Sequence, residues 1–198
     1  MEVEAEIKLV VGLGNPGPQY ENTRHNVGFW LVNVLAEKYD GSIKHEAKFK
    51  GFFGSANILD RDCKLLMPMT FMNLSGESVR SVASFYKIPI ESILVIHDEL
   101  DFLPGEVRLK KGGSANSHNG VQNIIDHLSN KDFWRLRIGI GKPSFKDDMA
   151  NYVTGTPSKT DAQQINDAID QAIAVIPDLV LGNFAKATQD LHSQNSVE

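Results

Sequence analysis

Five polar side chains follow or adjoin apolar runs in this chain. They are Asn15 after KLVVGLG, His25 in ENTRHN, Asn73 in MTFMN, Asp98 after SILVIH and Asn119 in SHNG. An imidazole accepts a proton near neutral pH, and a carboxylate beside it fixes its tautomer and steadies the imidazolium. Asparagine amides donate and accept without charge, so they can orient a carbonyl, hold a water or stabilise a developing oxyanion. No serine or cysteine stands in an obvious nucleophile arrangement, so the set points to water as the nucleophile. Imidazoles and carboxylates at metal-ligand spacing are absent. Four of them also have an ordinary alternative: a cap or surface imidazole for His25, an Asx-turn for Asp98, an N-cap for Asn73, a flexible capped loop around Asn119. What favours chemistry is their joint placement at comparable strand ends, where ligands bind in open α/β sheets.

The elements that must position them read as alternating strands and helices. EIKLVVG (residues 6–12) is a short buried strand, and Val27, Trp30, Leu31, Val34 and Leu35 give a helix to about Tyr39. Residues 49–59 and 63–67 form a strand pair turning at Asp60-Arg61-Asp62, and residues 73–86 are helical. SILVIH (92–97) is almost wholly apolar, as expected of a strand covered on both faces. Residues 106–110 fit an edge strand, 119–129 a helix and 134–140 another strand. Ser158-x-x-Asp161 resembles a capping box before a helix to about Ile176, with Pro177 and Gly182 expected to break it before a last helix near residues 184–192. The pattern predicts an α/β fold: a single-domain three-layer sandwich over residues 1–198, its mixed, twisted β-sheet between helices.

The stretch Gly12-Leu13-Gly14-Asn15-Pro16-Gly17 is a literal G-x-G-x-x-G. A dinucleotide-binding loop must open a helix at once so that helical N–H groups meet the pyrophosphate. Here Pro16 and Pro18 lack N–H groups, and helical periodicity resumes only at Val27. The loop is therefore a tight turn carrying Asn15 and delivering Arg24, His25 and Asn26 to a helix. A nucleotide-dependent α/β enzyme remains a weaker alternative.

The chain of 198 residues carries a net charge of −5, which argues weakly against a polyanionic partner. Between Gly105 and Lys142, however, seven basic residues outnumber three acids. Such a local surface can bind phosphates on an otherwise acidic protein, although lysine and arginine are also common on exposed strand edges. The lone Cys63 has no disulfide partner. The acidic opening lacks the pattern of a signal peptide, and no apolar run approaches the ~20 residues of a membrane span. These features lead to an expectation of a soluble, cytoplasmic protein.

Five segments, VGLGNPGPQYENTRHNVGF, MTFMNLSGESV, ILVIHDELD, SHNGVQNII and RLRIGIGKP, resemble in content and order the signature segments of bacterial-type peptidyl-tRNA hydrolases. The resemblance spans about residues 8–190. It implies a monomeric, cofactor-free, metal-independent enzyme that cleaves the ester between a peptide and the 3′-terminal ribose of tRNA, engaging the CCA end and acceptor stem. It gives His25 the role of catalytic base and Asp98 that of its partner. Asn15, Asn73 and Asn119 become substrate-positioning amides, with Asn15 grouped with the catalytic pair. Tyr20, Met72 and His118 line the cleft, and Arg108, Lys110 and Arg137 hold tRNA phosphates. A non-catalytic RNA-binding relative of the same fold is disfavoured by the intact His25 and Asp98. One departure stands out. Where the family has a GGxGGHNG-like loop, this chain reads GGSANSHNG, with Asn116 and Ser117 in place of glycines, so backbone freedom should fall.

Overall fold

Apolar runs decide the middle of the sheet, and glycines decide how closely the helices approach it. The computed structural model describes residues 5–145 and 148–194; the acidic residues 1–4 lie outside them. Seven strands form one mixed sheet in the order β2-β3-β4-β1-β5-β7-β6. In chain order they are β1 (Leu9–Gly12), β2 (Ser42–Glu46), β3 (Gly51–Ile58), β4 (Arg61–Pro68), β5 (Ile93–Glu99), β6 (Val107–Lys111) and β7 (Trp134–Gly139). Strands β4, β1, β5 and β7 run parallel, whereas β2, β3 and β6 join by antiparallel pairing. Every residue of β5 is buried, as its unbroken apolar run requires.

Alternation along the strands sends side chains to two cores. Val10, Leu94, Ile96, Leu136 and Ile138 meet helices α1 (Val27–Lys38), α5 (Lys159–Val180) and α6 (Phe184–Gln194) on one face. Leu9, Val11, Ile93 and Val95 meet α2 (Ser75–Phe85) and α3 (Asn119–Leu128) on the other. The expected sandwich is present. A short α4 (Met149–Val153) and the outer strand β2 were not expected from the sequence. Most of β2 is solvent-facing, so it has little apolar alternation to read.

Pro177 does not break α5, contrary to expectation; the helix runs to Val180. A proline inside a helix costs ~3 kcal/mol. Ile176, Leu179 and Val180 are buried beside it, and each buried aliphatic side chain returns ~1.5–3 kcal/mol, so continuing the helix wins. Gly182 does end it: φ is 81°, and Asn183 N–H donates to Asp178 O (2.8 Å) while Gly182 N–H donates to Leu179 O (3.1 Å). This is a Schellman stop, which needs a left-handed residue at Gly182.

Candidate active site

The site begins with a close approach of backbone to backbone. A Cβ on Gly28 would fall 2.4 Å from Leu13 N, so only glycine lets the first turn of α1 rest on the end of β1. The turn Arg24–Asn26 just before α1 is thereby held over the carboxyl edge of the sheet. It is tied from the other side as well. Arg24 N–H donates to Gly155 O at 3.0 Å, its guanidinium donates to Tyr152 O at 3.1 Å, and it lies 4.0 Å over the Tyr152 ring. Tyr152 hydroxyl in turn donates to Ile140 O at 2.6 Å.

His25, thus placed, meets Asp98 at the end of β5. Its Nδ1 lies 2.9 Å from both carboxylate oxygens of Asp98. A second imidazole reaches the same carboxylate: His118 Nε2 donates to Asp98 Oδ1 at 2.8 Å. Tautomers follow from the partners. His118 Nδ1 accepts from Val121 N–H at 3.3 Å as the N-cap of α3, so its proton sits on Nε2. His25 Nδ1 donates to the carboxylate, which leaves Nε2 as an acceptor without a partner among the described residues. His25 lines a cavity of about 240 Å³ with Asp98, His118, Asn119 and the α4 residues Met149, Ala150 and Val153.

Burial by itself lowers the pKa of His25, but the charge and hydrogen bond of Asp98 outweigh it and raise the value above 6.5. Burial pushes the Asp98 carboxyl up, yet the charges and hydrogen bonds of both histidines hold it well below its usual range. The anion is stable there because each oxygen is bonded. His97 backs the cluster, its ring edge-on to His118 with centroids 4.9 Å apart. Its Nδ1 donates to Asp98 O at 2.8 Å, and burial lowers its pKa to about 3, so it is a neutral packing group.

Asn15 sits at the neighbouring strand end, just past β1. Its backbone exchanges two bonds with the Asn26 amide: Asn15 N–H to Asn26 Oδ1 at 2.8 Å, and Asn26 Nδ2 to Asn15 O at 3.0 Å. Its own Oδ1 accepts from Met72 N–H at 2.8 Å, leaving Nδ2 as a directed donor. Met72 is buried and Asn73 exposed on the turn Met72–Leu74 before α2. Asn73 does not cap α2; the N-cap position is Leu74. Asn119 is the exposed first residue of α3 and opens on the His25 cavity. Tyr20 lies on the turn Pro18–Tyr20 and is absent from the walls of that cavity. Cys63 is buried in the core, and burial pushes its thiol up to about 12, far from a usable nucleophile.

The loop that carries His118 keeps a glycine-like path without glycines. Asn116 and Ser117 have φ of 47° and 68°, a left-handed region that costs non-glycine residues ~1–2 kcal/mol each. The chain holds them there from both ends. His118 N–H donates to Ala115 O at 2.9 Å, and Arg135 donates to Gly113 O at 2.6 Å and Ser114 O at 2.7 Å.

Antiparallel register places Arg108 opposite Arg137 and Lys110 opposite Arg135, so four cations share one face of β6 and β7. Like charges directly opposite one another disfavour a sheet, and the block therefore suits an anion. Arg137 is partly offset by Glu99 at 3.7 Å, and Arg108 by Glu106 at 3.4 Å; both guanidiniums lie over Phe102. Arg135 is spent on the loop, and Arg137 is largely buried against Glu99, so of the set named from the sequence Arg108 and Lys110 are the outward members.

Sequence reading missed the second imidazole on Asp98 and the loop-holding role of Arg135. The available signal for His118 was its position directly before a helix, the N-cap place. His25, Asp98 and His118 also form the one group among the described residues that could hold a metal ion, with ligand atoms within 4.8 Å of one another. A cation there would have to displace both shared protons, because each imidazole N–H already donates to Asp98.

The family model described as "Peptidyl-tRNA hydrolase" matches residues 9–198. The chain is 48% identical over 188 residues to the peptidyl-tRNA hydrolase of Pseudoalteromonas translucida, covering 94% of this chain and 97% of that protein. It is 50% identical over 187 residues to that of Coxiella burnetii, covering 94% and 98%. Among solved structures it is similar to the Arg-to-Gln mutant of peptidyl-tRNA hydrolase from Acinetobacter baumannii, with TM-score 0.92, 46% identity and 94% coverage of both chains.

Proposed function

The chain belongs to the peptidyl-tRNA hydrolase family, and from that premise we propose how its residues hydrolyse peptidyl-tRNA. His25 Nε2 takes a proton from water, and Asp98 steadies the imidazolium through Nδ1. The hydroxide attacks the ester carbonyl that joins the peptide to the terminal ribose. Asn15 Nδ2, with Asn73, donates to the developing oxyanion. The ribose hydroxyl leaves with the proton returned by His25, which frees the tRNA and the peptide. Asn119 donates to the first peptide carbonyl; a free α-ammonium offers no acceptor there and would be desolvated, which disfavours aminoacyl-tRNA.

Arg108, Lys110 and Arg137 take phosphates of the acceptor stem, with the CCA end reaching the cavity. Tyr20 and Met72 shape the rim, Met72 by fixing Asn15 and Tyr20 by closing the turn before His25. The whole chain, residues 1–198, works as one domain and as a monomer in the cytoplasm, and the reaction uses no metal. No described helix is long and apolar enough to cross a membrane.

The observation that carries this reading is the contact of His25 Nδ1 with Asp98 at 2.9 Å, which leaves Nε2 free at a cavity. Hydrolysis of N-acetyl-aminoacyl-tRNA by the parent and by Asp98→Asn tests it. The parent should release tRNA catalytically. The variant should be slower by ~10²-fold or more, as for a base that has lost its orienting partner. Equal rates would dismiss it.

A further inference from the structure

His25 and Asn26 are consecutive, yet they face different cavities. His25 lines the space it shares with Asp98, whereas Asn26 and Asn15 line a second cavity of about 540 Å³. Asn15 lines one cavity and His25 and Asn119 the other, so an ester held between His25 Nε2 and Asn15 Nδ2 has its peptide carbonyl on the Asn119 side and a second direction left for the amino acid side chain.

The direction toward β7 and β6 is charged. The His25 cavity continues past Glu99, Leu100, Asn116, Ser117 and Met149 into a groove that ends at Lys142, and Arg137 pairs with Glu99 on its flank. The acids of that path, Glu99 and Asp101, are each paired with a cation, Arg137 and Lys142, and Arg137 joins it to the cation block, so of the two directions it is the one that suits the arm bearing phosphates. The opposite direction, toward the ends of β1, β4 and β3, is apolar. Phe29 and Trp30 from α1 and Phe52, Met67 and Met69 from the strands make its walls. Glu21 is the one charged residue among its lining residues, so the cavity repels phosphate. Its walls are preset: Trp30 Nε1 donates to Glu21 O at 2.7 Å, and Asn26 ties the Asn15 backbone.

We propose that this second cavity is the subsite for the side chain of the amino acid esterified to tRNA, and that it favours large apolar residues. The inference rests on the hydrolase reading above and adds the selectivity of its acyl arm. Aromatic walls and unbranched thioethers accept side chains of varied shape, so preference should be graded by apolar size rather than absolute.

The test uses one tRNA body charged with N-acetyl-phenylalanine or N-acetyl-glycine, with kcat/KM measured for each. The parent should prefer phenylalanine by about 10-fold, the discrimination an apolar pocket can supply. Met69→Trp fills the cavity from the strand side and Asn33→Trp from the helix side. In each, checked as folded by thermal melting, the ratio should fall to about 1–2, the loss of that same pocket discrimination. A parent ratio near one overturns the proposal, and so does a ratio unchanged in both variants. An equal fall on both substrates also overturns it, since the cavity would then serve the shared adenosine. If the parent cleaves neither substrate, the hydrolase reading itself fails, which is a different result.

Discussion

His25 and His118 bond one carboxylate through opposite ring nitrogens, Nδ1 of the first at 2.9 Å and Nε2 of the second at 2.8 Å. The remaining nitrogens differ in what they can do. His118 Nδ1 is committed to the N-cap of α3. His25 Nε2 is uncommitted, so it alone has a lone pair for water.

Activity should therefore depend on His25 being neutral. Asp98 raises its pKa above 6.5 against the opposing effect of burial, so kcat/KM should fall as pH drops through a value above 6.5. In Asp98→Asn the anion is gone and burial dominates, which should move the acid limb below 6.5 while the plateau drops. A limb at the same pH in both proteins would assign the titration to another group.

The two duties of His118 can be separated. His118→Ala loses the cap, worth ~1 kcal/mol, which lowers Tm by about 2–4 °C in a chain of this size. It also loses a hydrogen bond to a charged group, worth ~1.5–3 kcal/mol of stability, which lowers Tm further, and the loosened Asp98 orients His25 less well, so kcat should fall by roughly 10- to 100-fold. His118→Asn restores a good capping residue without reaching Asp98. Partial recovery of Tm without recovery of kcat is expected; recovery of kcat as well would make His118 purely structural.

Asn116 and Ser117 occupy left-handed backbone that glycine adopts freely. Asn116→Gly with Ser117→Gly should raise stability by ~1 kcal/mol, seen as a Tm increase of about 2–4 °C. Faster amide exchange around Ala115 and His118 should accompany it, because freer backbone replaces a constrained path. An unchanged or lower Tm would show that these residues are not strained.

Arg108→Ala combined with Lys110→Ala removes two of the outward cations. Binding to deacylated tRNA should weaken, and the slope of log K against log salt should shrink by ~1–2, close to one for each phosphate no longer neutralised. The slope should stay the same if tRNA does not touch this face.

Acid stability reports on His97. Its pKa is about 3 in the fold and ~6.5 in an unfolded chain. The unfolded state thus binds a proton that the folded state refuses, and Tm should decline as pH falls below ~6.5. His97→Leu should flatten that decline. An equally steep decline would place the acid sensitivity elsewhere.

Much of this site was legible in the sequence because it stands at strand ends that apolar runs announce. The apolar run through Leu94 to Ile96 announces β5, and Asp98 stands at its carboxyl end; Gly28 and the period from Val27 fix where α1 starts, and His25 precedes it. What the sequence hid depends on long-range geometry. Nothing local tells that His118 crosses to Asp98, or that Arg135 turns inward to loop carbonyls while Arg137 pairs with Glu99. Pro177 misled because local propensity favours a break, whereas burial of Leu179 and Val180 against the sheet decides for helix. Asn116 and Ser117 looked like lost freedom, yet the loop keeps the glycine path by anchoring both of its ends.

The proton-abstracting role of His25 can be measured in single-turnover hydrolysis of N-acetyl-aminoacyl-tRNA by the parent and His25→Ala, with EDTA present throughout. The parent should keep its full rate in EDTA. The variant should lose ~10²–10⁴-fold, about 3–5 kcal/mol of transition-state stabilisation, while its affinity for deacylated tRNA changes little. Cleavage by the variant near the parent rate, or collapse of the parent in EDTA, would contradict a metal-free imidazole base.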